Sequence, residues 1–277
     1  NAKQWPELVE VLRRAVEAEE EPDEKKGLLV ELGEILEEYV QDAPEARKAY
    51  KQALEIDPSL ETALASLERM FRAAQNWSEL IPILRRKLEV LEEAEDIIAT
   101  HQRIGEILEN NLDDGGAAIE EYRKILELEP GHLPALKGLE RLFSQLERWQ
   151  DLLDVLEIQL EYATSERERI ELLTRLAAML EEEFVAPERA AERLEQILDI
   201  DPGHESALTS LERIYRQQGR WQDLIATLEK HVDALHDRGA RVPLYEQIGQ
   251  VYFKEIEDVD RAMDAYKEIL DIDPEHI

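Results

Sequence analysis

The sequence contains no cysteine, which removes disulfides, thiolate metal sites and thiol nucleophiles together. No apolar run approaches the roughly 18 residues that span a bilayer. The first residues lack the basic, apolar and small-residue order of a secretory leader. Positive charge is scarce: 33 Lys and Arg stand against 65 Asp and Glu, a net charge of −32. The excess is even along the chain, at −9 for 5–76, −7 for 77–148, −9 for 149–220 and −8 for 221–277. A phosphate backbone or an anionic membrane would be repelled along the whole length, so neither is an expected partner. No glycine-rich phosphate loop, GxSxG elbow or HExxH helix occurs, so no enzyme and no cofactor is expected. The run Asp113-Asp114-Gly115-Gly116 lacks the alternating ligands of a calcium loop and reads as a turn.

What is present is a repeat. Trp5, Trp77, Trp149 and Trp221 are all the tryptophans, and each lies 72 residues from the next; Pro58, Pro130, Pro202 and Pro274 keep the same step. A fixed period overrides the usual inference from length, because each unit buries its apolar face only against its neighbours. The units are 5–76, 77–148, 149–220 and 221–277, forming one solenoid over 1–277. Both ends read as cut, Asn1-Ala2 as residual sequence and the last unit as stopping before its next helix, so a segment of a longer array is expected.

Within a unit the apolar spacing is helical. Leu80, Ile81, Leu84 and Leu88 form one stripe; Ile104, Ile107, Leu108 and Leu112 the next; then Ile119, Tyr122, Ile125 and Leu126; then Leu136, Leu139, Leu142 and Phe143. Four helices of about 12 to 16 residues per unit, with the last unit lacking its fourth, predict 15 helices and an all-α chain.

Ala46, Ala118, Ala190 and Ala262 share one position near the start of the third helix. Tyr50, Tyr122, Leu194 and Tyr266 follow four residues on, then Ala53, Ile125, Ile197 and Ile269, then the proline. The preceding helix carries Leu32-Gly33, Ile104-Gly105, Leu176-Ala177 and Ile248-Gly249. A small residue with a large one at i+4 lets two helix axes approach while the large side chain fills the space between hairpins. This run resembles the tetratricopeptide repeat, a helical hairpin with Leu-Gly in helix A and Ala, an aromatic, Ala and a closing Pro in helix B. Residues 25–58 and their counterparts resemble it with one extra residue between the helices. Segments such as 59–96 resemble it in degenerate form, with helix A residues Ala63, Leu67 and Phe71 but an added Trp opening helix B. HAT repeats are the nearest alternative, and the Ala…Tyr…Ala-Leu…Asp-Pro run fits the tetratricopeptide form better. The resemblance implies a right-handed superhelix of antiparallel hairpins whose A helices line a concave groove.

The function this implies is a protein-interaction scaffold that holds a peptide or helix in that groove. Alternatives are a regulatory or sensor arm of a larger signalling or catalytic protein, and a structural spacer. A cytoplasmic location and end-to-end self-association through uncapped ends are further expectations. Leu-Glu-Arg recurs at 67–69, 139–141 and 211–213, which the resemblance places on the groove face of the A helices. Arg69, Arg141 and Arg213 therefore either clamp a ligand carboxylate or pair with neighbouring glutamates, including Glu68, Glu140 or Glu212. Arg103 and Arg175 extend the positive surface. At the matching places of the fuller repeats stand Glu34, Glu106, Ala178 and Gln250. The chaperone-tail clamp known in the family needs Asn there and Lys where this chain has Val30, Gln102, Thr174 and Glu246, so that mode is not expected.

The tryptophans are read as packing residues between hairpins in preference to an aromatic ladder for peptides or sugars. Histidines 132, 204 and 276 follow the loop proline in three units, too far apart, at roughly 20 Å for helix spacings of about 8–10 Å, to share a metal. His231 and His236 have a poor chelating offset, and no metal is expected.

Overall fold

The computed structural model describes residues 4–276; Asn1 and Ala2, read above as residual, and Ile277 lie outside them. Fifteen α-helices and no strand occur among the described residues, as the periodicity predicts. The chain is a helical solenoid built of two compact units, Asn1–Leu142 and Phe143–Ile277. The first holds α1 (Gln4–Ala18), α2 (Pro22–Ile35), α3 (Ala43–Ile56), α4 (Glu61–Ala73), α5 (Trp77–Leu88), α6 (Ala94–Asn111) and α7 (Gly115–Leu128). The division falls within α8 (Leu133–Gln145). The second holds α9 (Trp149–Tyr162), α10 (Glu166–Glu182), α11 (Pro187–Ile200), α12 (Glu205–Gln218), α13 (Trp221–Ala234), α14 (Arg238–Val251) and α15 (Val259–Ile272). Consecutive helices pack as hairpins, most extensively α2 on α3, α6 on α7, α10 on α11 and α14 on α15. At 18 and 17 residues, α6 and α10 exceed the length that the apolar stripes predict.

The small-then-large register is the core of each hairpin. Ala46, Ala118 and Ala190 are fully buried. The Tyr122 ring lies so close to α6 and α8 that a Cβ on Gly105 or Gly138 would sit 2.6 Å from it. Only a residue without a side chain fits against that ring. In the third repeat Ala177 takes the glycine position and Leu194 the tyrosine position, both buried. A methyl added on one helix is matched by a ring removed from its neighbour, so volume is kept.

The extra residue between the helices of the fuller repeats has a structural home. Gln41, Asp113, Val185 and Glu257 all have positive φ, at 60°, 53°, 50° and 61°. The next residue in each turn, Asp42, Asp114, Ala186 or Asp258, donates its N–H to a carbonyl six residues back at 2.8–2.9 Å. The wider closure absorbs one residue, and after α2 and α14 it forms π-helical turns at Leu36–Val40 and Tyr252–Ile256. Three of these four residues also cap the following helix: Asp42, Asp114 and Asp258 each accept from the third N–H of α3, α7 and α15, while Ala186 cannot.

That cap corrects one boundary. The sequence assigns Asp113–Gly116 to a connection, but Gly115 and Gly116 are the first residues of α7, because the Asp114 carboxylate accepts from Ala117 N–H at 3.0 Å. Leu112, assigned to the apolar stripe of α6, is the C-cap residue and is exposed. His132 and His204 have a local role that their spacing did not reveal. Each ring Nδ1 accepts from a backbone N–H three residues on, Ala135 at 3.3 Å and Ala207 at 3.4 Å. Among the described residues no helix is long and apolar enough to cross a membrane, and no three His, Cys, Asp or Glu gather as a metal-binding group.

Candidate protein-interaction surface

The three periodic arginines are held alike. Arg69 on α4 donates through both Nη atoms to Glu37, one bond being 3.0 Å. Arg141 on α8 donates through Nε and Nη2 to Glu109, the latter at 2.7 Å. Arg213 on α12 reaches both oxygens of Glu181 at 2.9 and 2.6 Å. The sequence offered Glu68, Glu140 and Glu212 as partners; the carboxylates used lie 32 residues earlier, in the preceding A helix or its terminal turn. Adjacent residues on a helix point apart, so Glu68 cannot turn back to Arg69, whereas Glu37 faces it across the interhelical step.

Glu37 and Glu109 have a second tie. The hydroxyls of Tyr50 and Tyr122 donate to them at 3.2 and 2.9 Å. The core ring, the carboxylate and the surface guanidinium thus form one chain from interior to solvent. Burial pushes the Tyr50 hydroxyl up to about 12, and the nearby Glu37 adds to the shift. Burial acts to raise Glu109, but the hydrogen bonds from Arg141 and Tyr122 outweigh it and hold the carboxyl below its usual range. The same glutamates raise Arg69 and Arg141. The three arginine side chains stay about half exposed or more, at 63%, 50% and 49% in chain order. Their remaining N–H donors are therefore open to a partner.

Arg103 turns inward. It donates at 2.6 Å to Glu68, a buried carboxylate that also takes Arg72 and Lys87. Arg175 lies exposed on α10. Gln250, on α14, lines a crevice with Arg216, Trp221, Gln247, Lys254 and Glu255. A second ionic centre escaped sequence reasoning: Glu121 on α7 is buried and holds His101 at 2.6 Å and Lys124 at 3.2 Å, with Arg85 at 3.6 Å. Carboxylates are so frequent in this chain that no local pattern singles out the buried one.

The tryptophans sit at the starts of α1, α5, α9 and α13 and are half-buried there. Trp5 stacks on Tyr39 at 4.0 Å between ring centres and 16° between planes. Trp77 walls a crevice with Arg72, Arg103, Glu106, Asn110 and Asn111.

Comparisons with known proteins agree with this architecture. The family model for the tetratricopeptide repeat matches residues 63–98, 135–171 and 207–242, and a second model of the same repeat matches 242–276; together they span just over half of the chain. Three of these matches fall on the hairpins read from sequence as degenerate. No curated protein matches the sequence. Among solved structures, a TPR protein, YrrB, described as having an unusual peptide-binding site, is 18% identical over 73% of this chain and 98% of its own, with a TM-score of 0.38. A tetratricopeptide repeat protein from Parabacteroides merdae is 16% identical over 90% of this chain and 93% of its own, at 0.37. The Naa15/Naa10 complex bound to HypK-THB contains a chain 20% identical over 91% of this one and 37% of its own, at 0.47.

Proposed function

The chain belongs to the tetratricopeptide repeat family, in general one of non-catalytic protein-interaction scaffolds, and on that premise we propose that its A-helix face binds an extended peptide or a helix of another protein. The observation that supports this is the state of Arg69, Arg141 and Arg213. Each is fixed by a glutamate of the neighbouring A helix or its terminal turn yet remains about half exposed or more. A donor fixed in this way has little side-chain entropy left to lose on binding. A partner's carbonyl or carboxylate can meet the open edge of the guanidinium while the glutamate holds the other. No catalytic role is proposed for any residue.

The test is a peptide-display selection against the protein and against an Arg69/Arg141/Arg213→Ala variant, with thermal melts of both. Peptides that bind the parent and not the variant, at unchanged melting temperature, support the reading. Peptides that bind both equally overturn the part given to these arginines, and a selection that yields no peptide overturns the scaffold reading itself.

A specific observation favours a second surface. Met263, Tyr266 and Leu270 on α15 are 48%, 39% and 50% exposed, whereas Ile119, Tyr122, Tyr50 and Leu54 at equivalent positions are about 1% exposed. The earlier copies are covered by α4 and α8, whose A-type stripe includes Leu64 and Leu136. A helix with that pattern, from a second copy of the chain or a continuing array, is the proposed occupant of the α15 face.

A further inference from the structure

The crevices beside Trp77 and Trp221 are the same feature at positions 144 residues apart: Arg72, Trp77, Arg103, Glu106, Asn110 and Asn111 in one correspond to Arg216, Trp221, Gln247, Gln250, Lys254 and Glu255 in the other. The first repeat shows what such a place accepts. Tyr39 is the counterpart of Asn111 and Glu255, and its ring lies over the Trp5 indole at 4.0 Å. The crevice beside Trp221 has a volume of 560 Å³, against 300 Å³ beside Trp77.

The two crevices differ in charge. Beside Trp77, both Arg72 and Arg103 donate to the buried Glu68 and share its charge. Beside Trp221, the carboxylate equivalent to Glu68 is Glu212, and His231 holds it at 2.7 Å. Arg216 instead donates to the neutral Gln247, which stands where Arg103 would be. Among the described residues neither Arg216 nor Lys254 has a carboxylate partner. In a chain of net charge −32, a crevice walled by an indole and lined by two cations against the single carboxylate of Glu255 is a site of distinct chemistry.

We infer that the crevice beside Trp221 receives an aromatic side chain of a peptide that carries an acidic side chain next to it. The ring covers Trp221 as Tyr39 covers Trp5, and the carboxylate meets Arg216 and Lys254. An offset-stacked ring gains beyond its burial alone, and a charge-assisted bond to arginine fixes the peptide's direction. This rests on the interaction-scaffold reading and gives it a ligand class.

The test uses a chain with Trp5→Phe, Trp77→Phe and Trp149→Phe, so that emission comes from Trp221 alone. The probe is Gly-Asp-Phe-Asp-Gly, capped at both ends. The expected result is a saturable change in emission, weakened about tenfold or more when Phe becomes Ala in the probe or when Arg216→Gln and Lys254→Gln are introduced. Glu255→Tyr, which places a ring where the first repeat has Tyr39, is expected to abolish probe binding at unchanged helicity. If the triply substituted chain does not fold, the four indole N–H resonances of the unsubstituted protein are followed, and only that of Trp221 moves. Probe binding that ignores these substitutions overturns the site, as does the absence of any saturable change. Display-selected peptides that bind elsewhere would then leave the scaffold reading standing; a selection that yields no peptide removes both.

Discussion

Arg193 donates to Glu157 at 2.7 Å, and Glu121 and Arg85, each 72 residues earlier, form an ion pair at 3.6 Å with the charges exchanged. The same place in two repeats therefore requires opposite charges and does not require a particular sign on either helix. This predicts that Arg193→Glu lowers stability by about 1 kcal/mol through like-charge contact, and that Glu157→Arg added to it recovers most of the loss. Chemical denaturation of the two single variants and the double variant measures the coupling. Simple additivity of the two effects would show that the pair contributes nothing.

The turn after α10 departs from its three counterparts twice. Val185 is a β-branched residue at φ 50° and is 79% exposed, and Ala186 leaves α11 without the side-chain cap that Asp supplies elsewhere. Val185→Gly is expected to stabilise by about 1 kcal/mol through relief of left-handed strain. Ala186→Asp is expected to add about 1 kcal/mol as an N-cap. Thermal melts of each decide the matter; a fall in melting temperature for either contradicts the local account.

Gly105→Ala places a methyl 2.6 Å from the Tyr122 ring and is expected to cost about 1–3 kcal/mol. The third repeat supplies the remedy, Ala177 with Leu194. Adding Tyr122→Leu should therefore cost less in the presence of Gly105→Ala than alone. A double-mutant cycle in denaturant reads the interaction energy directly.

Acid should weaken the fold through identifiable carboxylates. Burial acts to raise Glu121, and the hydrogen bonds from His101 and Lys124 outweigh it, leaving its pKa below the ordinary 4.5. Glu109 is lowered through Arg141 and Tyr122 against the same opposition. Hydrogen bonds from Ser59 and Lys26 hold Asp57 at about 2, below 3.8. A depressed folded value means that the stabilisation is complete above the unfolded pKa and lost as pH falls through the folded one. Melting temperature should therefore hold down to about pH 4.5 and fall below it. Glu121→Gln should flatten that decline, as measured by melts from neutral to acidic pH.

The uncovered face of α15 makes self-association measurable. Sedimentation velocity across a concentration series should show reversible association that Met263→Glu and Leu270→Glu abolish, since charges on a stacking face cannot be buried unpaired. A monomer at all concentrations would leave that face to a different protein.

Much of this protein was legible in one dimension. The 72-residue step fixed the number and nature of the helices, and the Ala…Tyr spacing with its preceding Gly located the core, because a repeat states each packing rule several times. The turn was harder to read. Gln41, Asp113, Val185 and Glu257 have no residue type in common, so nothing in composition announces a left-handed position or the helix boundary at Gly115 that follows it. The period marks the arginines, but it does not mark their partners. Glu37 and Glu109 lie 32 residues away, and only the hairpin geometry makes them neighbours.

The sequence by itself determined the all-α repeat architecture, the family and the scale of the negative charge, since periodicity and composition are properties of the chain before it folds. Tertiary structure alone decided which glutamates are buried, which arginines pair with a carboxylate and that Trp5 stacks on a tyrosine. Those outcomes depend on the distances between side chains brought together from different helices. Glu68 takes Arg72, Lys87 and Arg103, while its counterpart Glu212 goes to His231 and leaves Arg216 to Gln247. Equivalent places in the repeat thus acquire different chemistry from the neighbours that packing gives them.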